Sequence, residues 1–271
     1  MSWTSWSLDP GLVYVALAAA LYLLGSRGRD RPAPRQSAAF FGGLLTVIVA
    51  LDSPIDVWAD QLFWAHMLQH ILLLTVAPPL FLLGRPWPRM WRALPLGLRT
   101  SLARTLVRSR FTAPVRTLAR PLPAWLVFNG VIVGWHIPAA YDLTLRYGTV
   151  HVCEHAMFFF AGLLFWAHVI DPGPLRPRLV WPARIAYTAG AMVVGWMIAI
   201  WLVLEPHAIY GYYEALRHRP GGISALTDQQ LAAGVMWVPG SLSYAVTLVI
   251  GLYRWLEPDH STQPTTAVLT T

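Results

Sequence analysis

The sequence predicts an all-α integral membrane protein, a polytopic bundle of about seven transmembrane helices, and three features predict it. Hydrophobic residues make up 56% of the 271 residues and charged residues 12%, about half of the ~25% that is typical of soluble domains. The apolar residues fall in long runs, each close to the roughly 20 residues that cross a bilayer as a helix. Fourteen Trp and ten Tyr are typical of aromatic belts at the two membrane interfaces.

Seven apolar windows predict the spans, which together form a single membrane domain over residues 1–271. The third and seventh windows are the most clearly bounded, and the second is short. In the third window, the prolines of "APPL" (77–80) are expected to kink or locally unwind the helix. The predicted spans lie near residues 10–25, 37–52, 61–84, 123–140, 150–170, 184–204 and 228–253.

The arginines predict the orientation of these spans. All twenty basic residues are Arg; four lie in the loop 26–35, and nine lie between Arg85 and Arg120 without any acidic residue. The positive-inside rule then places the N-terminus outside and the C-terminus in the cytoplasm. The basic loop 85–122 is predicted to lie on the inner surface as a short amphipathic helix.

The basic residues also argue against two other classes of protein, nucleic-acid-binding proteins and retinal pigments. A net charge of +7 is accounted for by loops that contact anionic lipid, so the bilayer is the expected partner and nucleic acid is not. A retinal pigment needs a lysine for its Schiff base, and the sequence contains no Lys. That class is therefore excluded by composition.

Five of the nine histidines are predicted to meet in one layer of the outer half of the membrane. "HMLQH" places His66 and His70 one turn apart in the third span, and "HVCEH" places His151 and His155 in the same way in the fifth. Histidines at i and i+4 share one helix face, and ionisable side chains within a span usually face the bundle interior. With His136, near the outer end of the fourth span, these residues are the predicted metal ligands.

Four further residues are candidates for supporting roles or for additional ligands. Glu154 is adjacent to His155 and could join the site or orient a ligand. Gln69 and Asp228 lie at a similar depth and could supply hydrogen bonds to the ligands. Cys153 points about a quarter-turn away from the histidine face and is a candidate Cu(I) ligand.

The residues alone leave the chemistry open. Imidazole suits copper, zinc and iron alike. "HVCEH" fits the H-x-x-E-H pattern of the inverzincins, in which two histidines bind zinc and the glutamate acts as a base; this predicts a membrane-embedded zinc hydrolase with Glu154 as its base. Histidines that face each other across helices could instead ligate haem. A scaffold role without any metal is a further alternative.

Four blocks of the sequence occur in order between about residues 60 and 255: "AHMLQHILLLTVAPPLFLLGRP", "GWHIPAAYDLTLR", "HVCEHAMFFFAGLLFW" and "DQQLAAGVMWVPGSLSY". Together they resemble the CtaG family, the caa3-type cytochrome c oxidase assembly factors. The recurring histidines of the family fall on the five predicted ligands, with Glu154, Asp142 and the run Asp228–Gln230 alongside.

The resemblance implies a role in maturing a haem–copper cytochrome c oxidase. Copper would be bound transiently at the histidine cluster and inserted into the oxidase, and the protein would not be an enzyme. The implied partners are an oxidase subunit and a copper donor protein. The implied location is the bacterial inner membrane, with the chain crossing it several times.

Overall fold

The structure, a computed structural model, describes residues 6, 11–27, 31–108, 117–170 and 179–257. Every regular element in these ranges is helical, which confirms the all-α prediction. A π-helical turn (Leu72–Val76) joins α4 to α5, and a 3-10 turn (Pro220–Gly222) precedes α13. The α-helices are α1 (Leu12–Gly25), α2 (Pro34–Leu51), α3 (Pro54–Ala59), α4 (Phe63–Ile71), α5 (Ala77–Leu83), α6 (Pro86–Ala93), α7 (Leu96–Arg108), α8 (Pro121–Trp135), α9 (Pro138–Arg146), α10 (Gly148–Trp166), α11 (Trp181–Leu204), α12 (Gly211–Ala215) and α13 (Ala225–Leu256).

Five helical segments in the described ranges are long and apolar enough to cross a membrane, or six if the bent pair α8–α9 counts as one span. The first predicted span, near residues 10–25, corresponds to α1, an apolar helix of 14 residues that is shorter than these segments. The count of seven, the orientation and the extent of the domain therefore stay predictions. The five segments are Pro34–Ala59, Phe63–Leu83, Gly148–Trp166, Trp181–Leu204 and Ala225–Leu256.

The predicted loop 85–122 contains two helices, α6 and α7, within its described part. Leu96 and Leu98 on α7 are exposed, as is Trp87 on α6. Apolar side chains displayed by an arginine-rich segment are typical of helices that lie in a membrane interface. Residues 109–116, which belong to the same predicted loop, lie outside the described ranges.

The fourth predicted span is not one straight helix. α8 ends at Trp135, α9 begins at Pro138, and the two axes are bent by 74°. Pro138 has no N–H to donate, and proline disfavours helical backbone for the residue before it. Ile137 accordingly has extended dihedrals, φ −66° and ψ 125°. His136 thus lies at the break between the two helices, not in a continuous helix.

The third predicted span is interrupted by the π-helical turn, immediately before Pro78, where the prolines were expected to disturb it. Because Pro78 lacks an N–H, it cannot donate to the carbonyl of Leu74. The indole N–H of Trp166 on α10 donates to that carbonyl instead, at 3.0 Å. Gly162 lets the two backbones approach: a Cβ there would lie 2.7 Å from both the Leu74 oxygen and Pro78 Cγ. These contacts fix α10 against the third span.

The first turn of α13 fixes the start of α4 and the end of α11. The carboxylate of Asp228 accepts hydrogen bonds from the backbone N–H groups of Phe63 (2.9 Å) and Trp64 (3.1 Å). It therefore caps the start of α4, where N–H groups have no helical partner. The side-chain amide of Gln229 donates to the carbonyls of Leu202 (3.0 Å) and His207 (3.2 Å), which anchors the end of α11.

The N-terminal helix packs on a separate, smaller core. Tyr22 on α1 stacks on Phe40 of α2 with ring centroids 3.9 Å apart, and its hydroxyl donates to the carbonyl of Gly84. Arg89, buried in spite of its charge, donates to the same carbonyl (3.1 Å) and to Gln36 (2.8 Å). α1, α2 and α6 are thus held together away from the histidine layer.

Candidate metal centre

α4 and α10 bring four buried side chains into one cluster. His66 and His70 come from α4, and Glu154 and His155 come from α10. Each residue offers one ligand atom, and these four atoms all lie within 4.8 Å of one another. The side chains of His66 and Glu154 are fully buried. Three imidazoles and one carboxylate form a donor set that suits a transition-metal ion.

The carboxylate of Glu154 lies at the centre of this cluster and reaches a different histidine with each oxygen. Oε2 is 3.4 Å from Nε2 of His66, and Oε1 is 3.5 Å from Nε2 of His70. The ring centroids of His66 and His70 are 4.4 Å apart, and the His155 centroid lies 5.8 and 5.6 Å from them. Glu154, predicted from its position beside His155, thus occupies the place of a potential ligand.

Tyr213 in α12 determines which nitrogen of His66 faces the carboxylate. The Tyr213 hydroxyl donates to the carbonyl of Ala59 at 2.5 Å, so its oxygen can only accept at the 3.3 Å contact with His66 Nδ1. Burial raises the pKa of this hydroxyl well above its usual value, which keeps the proton on the oxygen. His66 therefore carries its hydrogen on Nδ1 when neutral, and its Nε2 presents a lone pair to Glu154.

A lone pair and a carboxylate oxygen that face each other at 3.4 Å repel unless a cation lies between them. Apart from the two contacts with Glu154, Nε2 of His66, both ring nitrogens of His70 and Nε2 of His155 have no hydrogen-bond partner within the described ranges. Buried polar atoms normally have one. A metal ion bound by these atoms satisfies them together, so the residues present fit a metal.

His151 and His136 both border the cluster. The His151 ring lies 4.2 Å from that of His155 and 4.9 Å from that of His66, and the residue is partly exposed. Asp60 lies near it: burial raises the pKa of this carboxyl, and the charge of His151 opposes the rise. His136, at the α8–α9 break, lines a cavity together with His70. Neither histidine belongs to the group of four.

The remaining predicted residues make other contacts. The amide of Gln69 donates to the carbonyl of Ala50 (2.8 Å) and to the Asp56 carboxylate (2.9 Å), so it ties α4 to α2 and α3. Asp228 caps α4, as described above. Cys153 is exposed and lies outside the group. Gln69 and Asp228 thus orient the helix that carries the ligands.

Tyr213 and Tyr141 are the site residues that the sequence analysis missed. The Tyr141 ring is fully buried with its centroid 5.0 Å from that of His66. Tyr213 is 147 residues away from His66 along the chain, so no local spacing connects them. The signal available was the cluster of tyrosines in "YGYYEALR" (210–217), directly before the seventh span.

The fold and the cluster together define a helical membrane protein with a buried histidine–carboxylate group that is able to hold a metal ion. The chain belongs to the cytochrome c oxidase caa3 assembly factor family, Caa3_CtaG, whose model matches residues 14–257. This match confirms the resemblance found in the sequence.

Curated relatives carry the same region within longer chains. Uncharacterized proteins of Mycobacterium bovis and Mycobacterium tuberculosis are each 27% identical over 254 residues, which cover 90% of this chain and 37% of the relative. An uncharacterized protein of Mycobacterium leprae is 25% identical over 227 residues, covering 82% of this chain and 34% of the relative. The chain thus spans little more than a third of the length of these relatives. No solved structure is significantly similar to it.

Proposed function

We propose that this protein binds copper at the cluster of His66, His70, Glu154 and His155 and passes it to a cytochrome c oxidase during assembly of the oxidase. The observation that carries the proposal is the convergence of four buried ligand atoms within 4.8 Å in a chain of the oxidase assembly factor family. The protein acts in the bacterial cell membrane, receives copper from a donor protein and does not catalyse a reaction.

The four ligands suit a metal ion that is bound transiently and then released. Imidazole binds copper well, and copper stands high in the affinity order for nitrogen and oxygen ligands. The ligands come from two helices, so a small separation of α4 and α10 opens the site without unfolding either helix. Partly exposed His151, 4.9 Å from the His66 ring, provides an outer point of entry.

The hydrolase alternative fits this geometry less well. An inverzincin needs its glutamate as a base beside the metal. Here both oxygens of Glu154 point at histidine nitrogens, at 3.4 and 3.5 Å, in the position of a ligand. A haem fits less well still, because a macrocycle needs a flat slot between its axial ligands. Here the Glu154 carboxylate contacts Nε2 of both His66 and His70 instead.

The test is the double variant His66→Ala with His70→Ala, purified in detergent and assayed for metal and optical spectrum. We expect wild-type protein to bind about one equivalent of copper or more and the double variant to bind copper at the cluster at least ~100-fold more weakly, since two of four ligands are gone. The matched control is His207→Ala with His218→Ala, which removes two exposed histidines of one loop. Undiminished copper in the His66/His70 variant would refute the site.

The same preparations separate the alternatives. Zinc that resists dialysis, together with hydrolytic turnover lost in Glu154→Gln, would favour the hydrolase. A Soret band would indicate haem. Assembly of an active oxidase by a strain that carries the His66/His70 double variant, with wild-type levels of the variant in its membranes, would favour a scaffold that needs no metal.

A further inference from the structure

A cavity of about 50 Å³ adjoins the cluster at His70, which belongs to its lining. The third span, α8, α10, α11 and α13 all contribute to its wall. Such a volume holds a few water molecules at most. Most of the wall is apolar, and four of its side chains carry an atom that can bind a soft metal ion: Met67, His70, His136 and Met236.

The imidazole of His136 is held with a lone pair free. Its Nδ1 lies 2.7 Å from the carbonyl oxygen of Ile132, which can only accept, so Nδ1 carries the hydrogen. Nε2 is then the acceptor nitrogen, and it is buried without a hydrogen-bond partner among the described residues. A backbone carbonyl that orients an imidazole in this way is typical of histidines that bind metals.

His70 belongs to both sites. Its Nε2 faces the carboxylate of Glu154 at 3.5 Å, while its Nδ1 is buried and, within the described ranges, has no hydrogen-bond partner. Its ring stacks on Phe158 with centroids 4.2 Å apart. The histidine is therefore held rigidly at the boundary between the cluster and the cavity.

The two methionines give the cavity a chemistry that the cluster lacks. Met67 is buried, with 1% of its surface exposed, and Met236 is half-buried. Thioethers are neutral, soft ligands that select Cu(I) over harder divalent ions. No acidic residue lines the cavity, whereas the cluster contains the carboxylate of Glu154.

This difference in charge decides which ion each site prefers. A divalent ion in a low-dielectric interior needs anionic ligands, because its charge is costly to remove from water. A monovalent soft ion can be held there by neutral nitrogen and sulfur. We propose that the cavity is a second metal site, formed by His136, His70 and the two methionines, which binds copper that reaches the cluster already as Cu(I), so that no change of oxidation state accompanies the transfer. The proposal rests on the proposed copper function.

The test compares Ag(I), a redox-inert soft monovalent ion, with Zn(II). All proteins carry Cys153→Ser, because the exposed thiol would bind silver by itself. The test variant is Met67→Leu with Met236→Leu, and leucine approximates methionine in volume. The control is Met197→Leu, which removes an exposed methionine on α11. Bound metal is measured by elemental analysis, and its ligands by X-ray absorption.

We expect the parent protein to bind Ag(I) with sulfur among its ligands, and the double methionine variant to lose one equivalent of silver together with that sulfur signal. Zn(II) binding at the cluster stays unchanged in both proteins. Silver without sulfur ligands in the parent, or an unaltered sulfur signal in the double variant, would overturn the proposal. If the double variant does not fold, as judged by circular dichroism and size exclusion, Met236→Leu alone serves, since Met236 is half-buried.

A separate variant distinguishes this proposal from the copper function itself. Glu154→Gln removes the anionic ligand of the cluster and leaves all four cavity ligands in place. Loss of Zn(II) binding with sulfur-bound silver retained would leave both proposals standing. A different outcome is also decisive: no protein binds metal at the cluster, and sulfur-bound silver is lost only in the methionine variant. That result would refute the copper function of the cluster and support the cavity site.

Discussion

The contact between the third span and α10 differs at its two ends in how polar groups are paired. At the Pro78 end, the Leu74 carbonyl released by Pro78 accepts from Trp166, and Gly162 lets the two backbones approach closely. At the histidine end, the Nε2 atoms of His66 and His70 and the carboxylate oxygens of Glu154 are buried, with mutual contacts of 3.4 and 3.5 Å. The Pro78 end holds the helices in place, and the histidine end keeps its ligand atoms available for an ion.

The largest effect is expected at the Pro78 end of this contact. Gly162→Val places side-chain carbon against the Leu74 oxygen, which even a Cβ would approach to 2.7 Å. We expect destabilisation by about 3 kcal/mol or more, measured as a lower thermal midpoint in detergent, with metal binding lost alongside. In the control, Gly130→Val on α8, a Cβ would meet nothing within 4 Å. A normal midpoint for Gly162→Val would mean that the tight contact is not needed.

A smaller effect is expected at Tyr213, and it concerns the affinity for metal, not the stability of the fold. Tyr213→Phe keeps the ring and removes the oxygen that accepts from His66 Nδ1. Groups that orient a metal-binding histidine typically contribute 10–100-fold to affinity, so we expect copper binding ~10–100-fold weaker in a competition titration. Tyr212→Phe, the half-buried neighbour, is the control. Equal affinities for the two variants would show that the hydroxyl does not orient His66.

The smallest effect is expected at Asp228. Asp228→Asn keeps one acceptor oxygen for the N–H groups of Phe63 and Trp64, and Asn is as good an N-cap as Asp. We expect a loss of less than about 1 kcal/mol in stability and no change in metal affinity. The thermal midpoint and the copper titration are the two measurements. A fall in affinity similar to that of Tyr213→Phe would place Asp228 in the site instead of at a helix cap.

The histidine layer was predictable because its signal is local. Two i, i+4 pairs in apolar windows identify His66, His70, His151 and His155, and the cost of burying an imidazole in lipid indicates that they face inward. The position of Glu154 directly before His155 also predicts that this carboxylate lies near the histidines. It could not show that each carboxylate oxygen of Glu154 contacts a different histidine of α4, since that depends on how α4 packs on α10.

The bend at His136 and the role of Tyr213 were harder to predict for different reasons. Pro138 marked a possible break, but the apolar run continued across it and indicated a straight span. Tyr213 meets His66 only because Asp228, Gln229 and the tyrosines bring the loop before α13 over the start of α4. Such a contact is produced by tertiary packing, and no periodicity of the sequence encodes it.

The π-helical turn at Leu72–Val76 has a consequence for changes in chain length. Such a turn accommodates one residue more than an α-helical turn, and each residue of an α-helix turns the chain by about 100°. Deleting one residue there to restore a regular helix would rotate α4, which precedes the turn, by about that angle relative to α5, which follows it. His66 and His70 would then leave the face that meets α10. The third span is therefore far more tolerant of substitution in this turn than of a single-residue deletion.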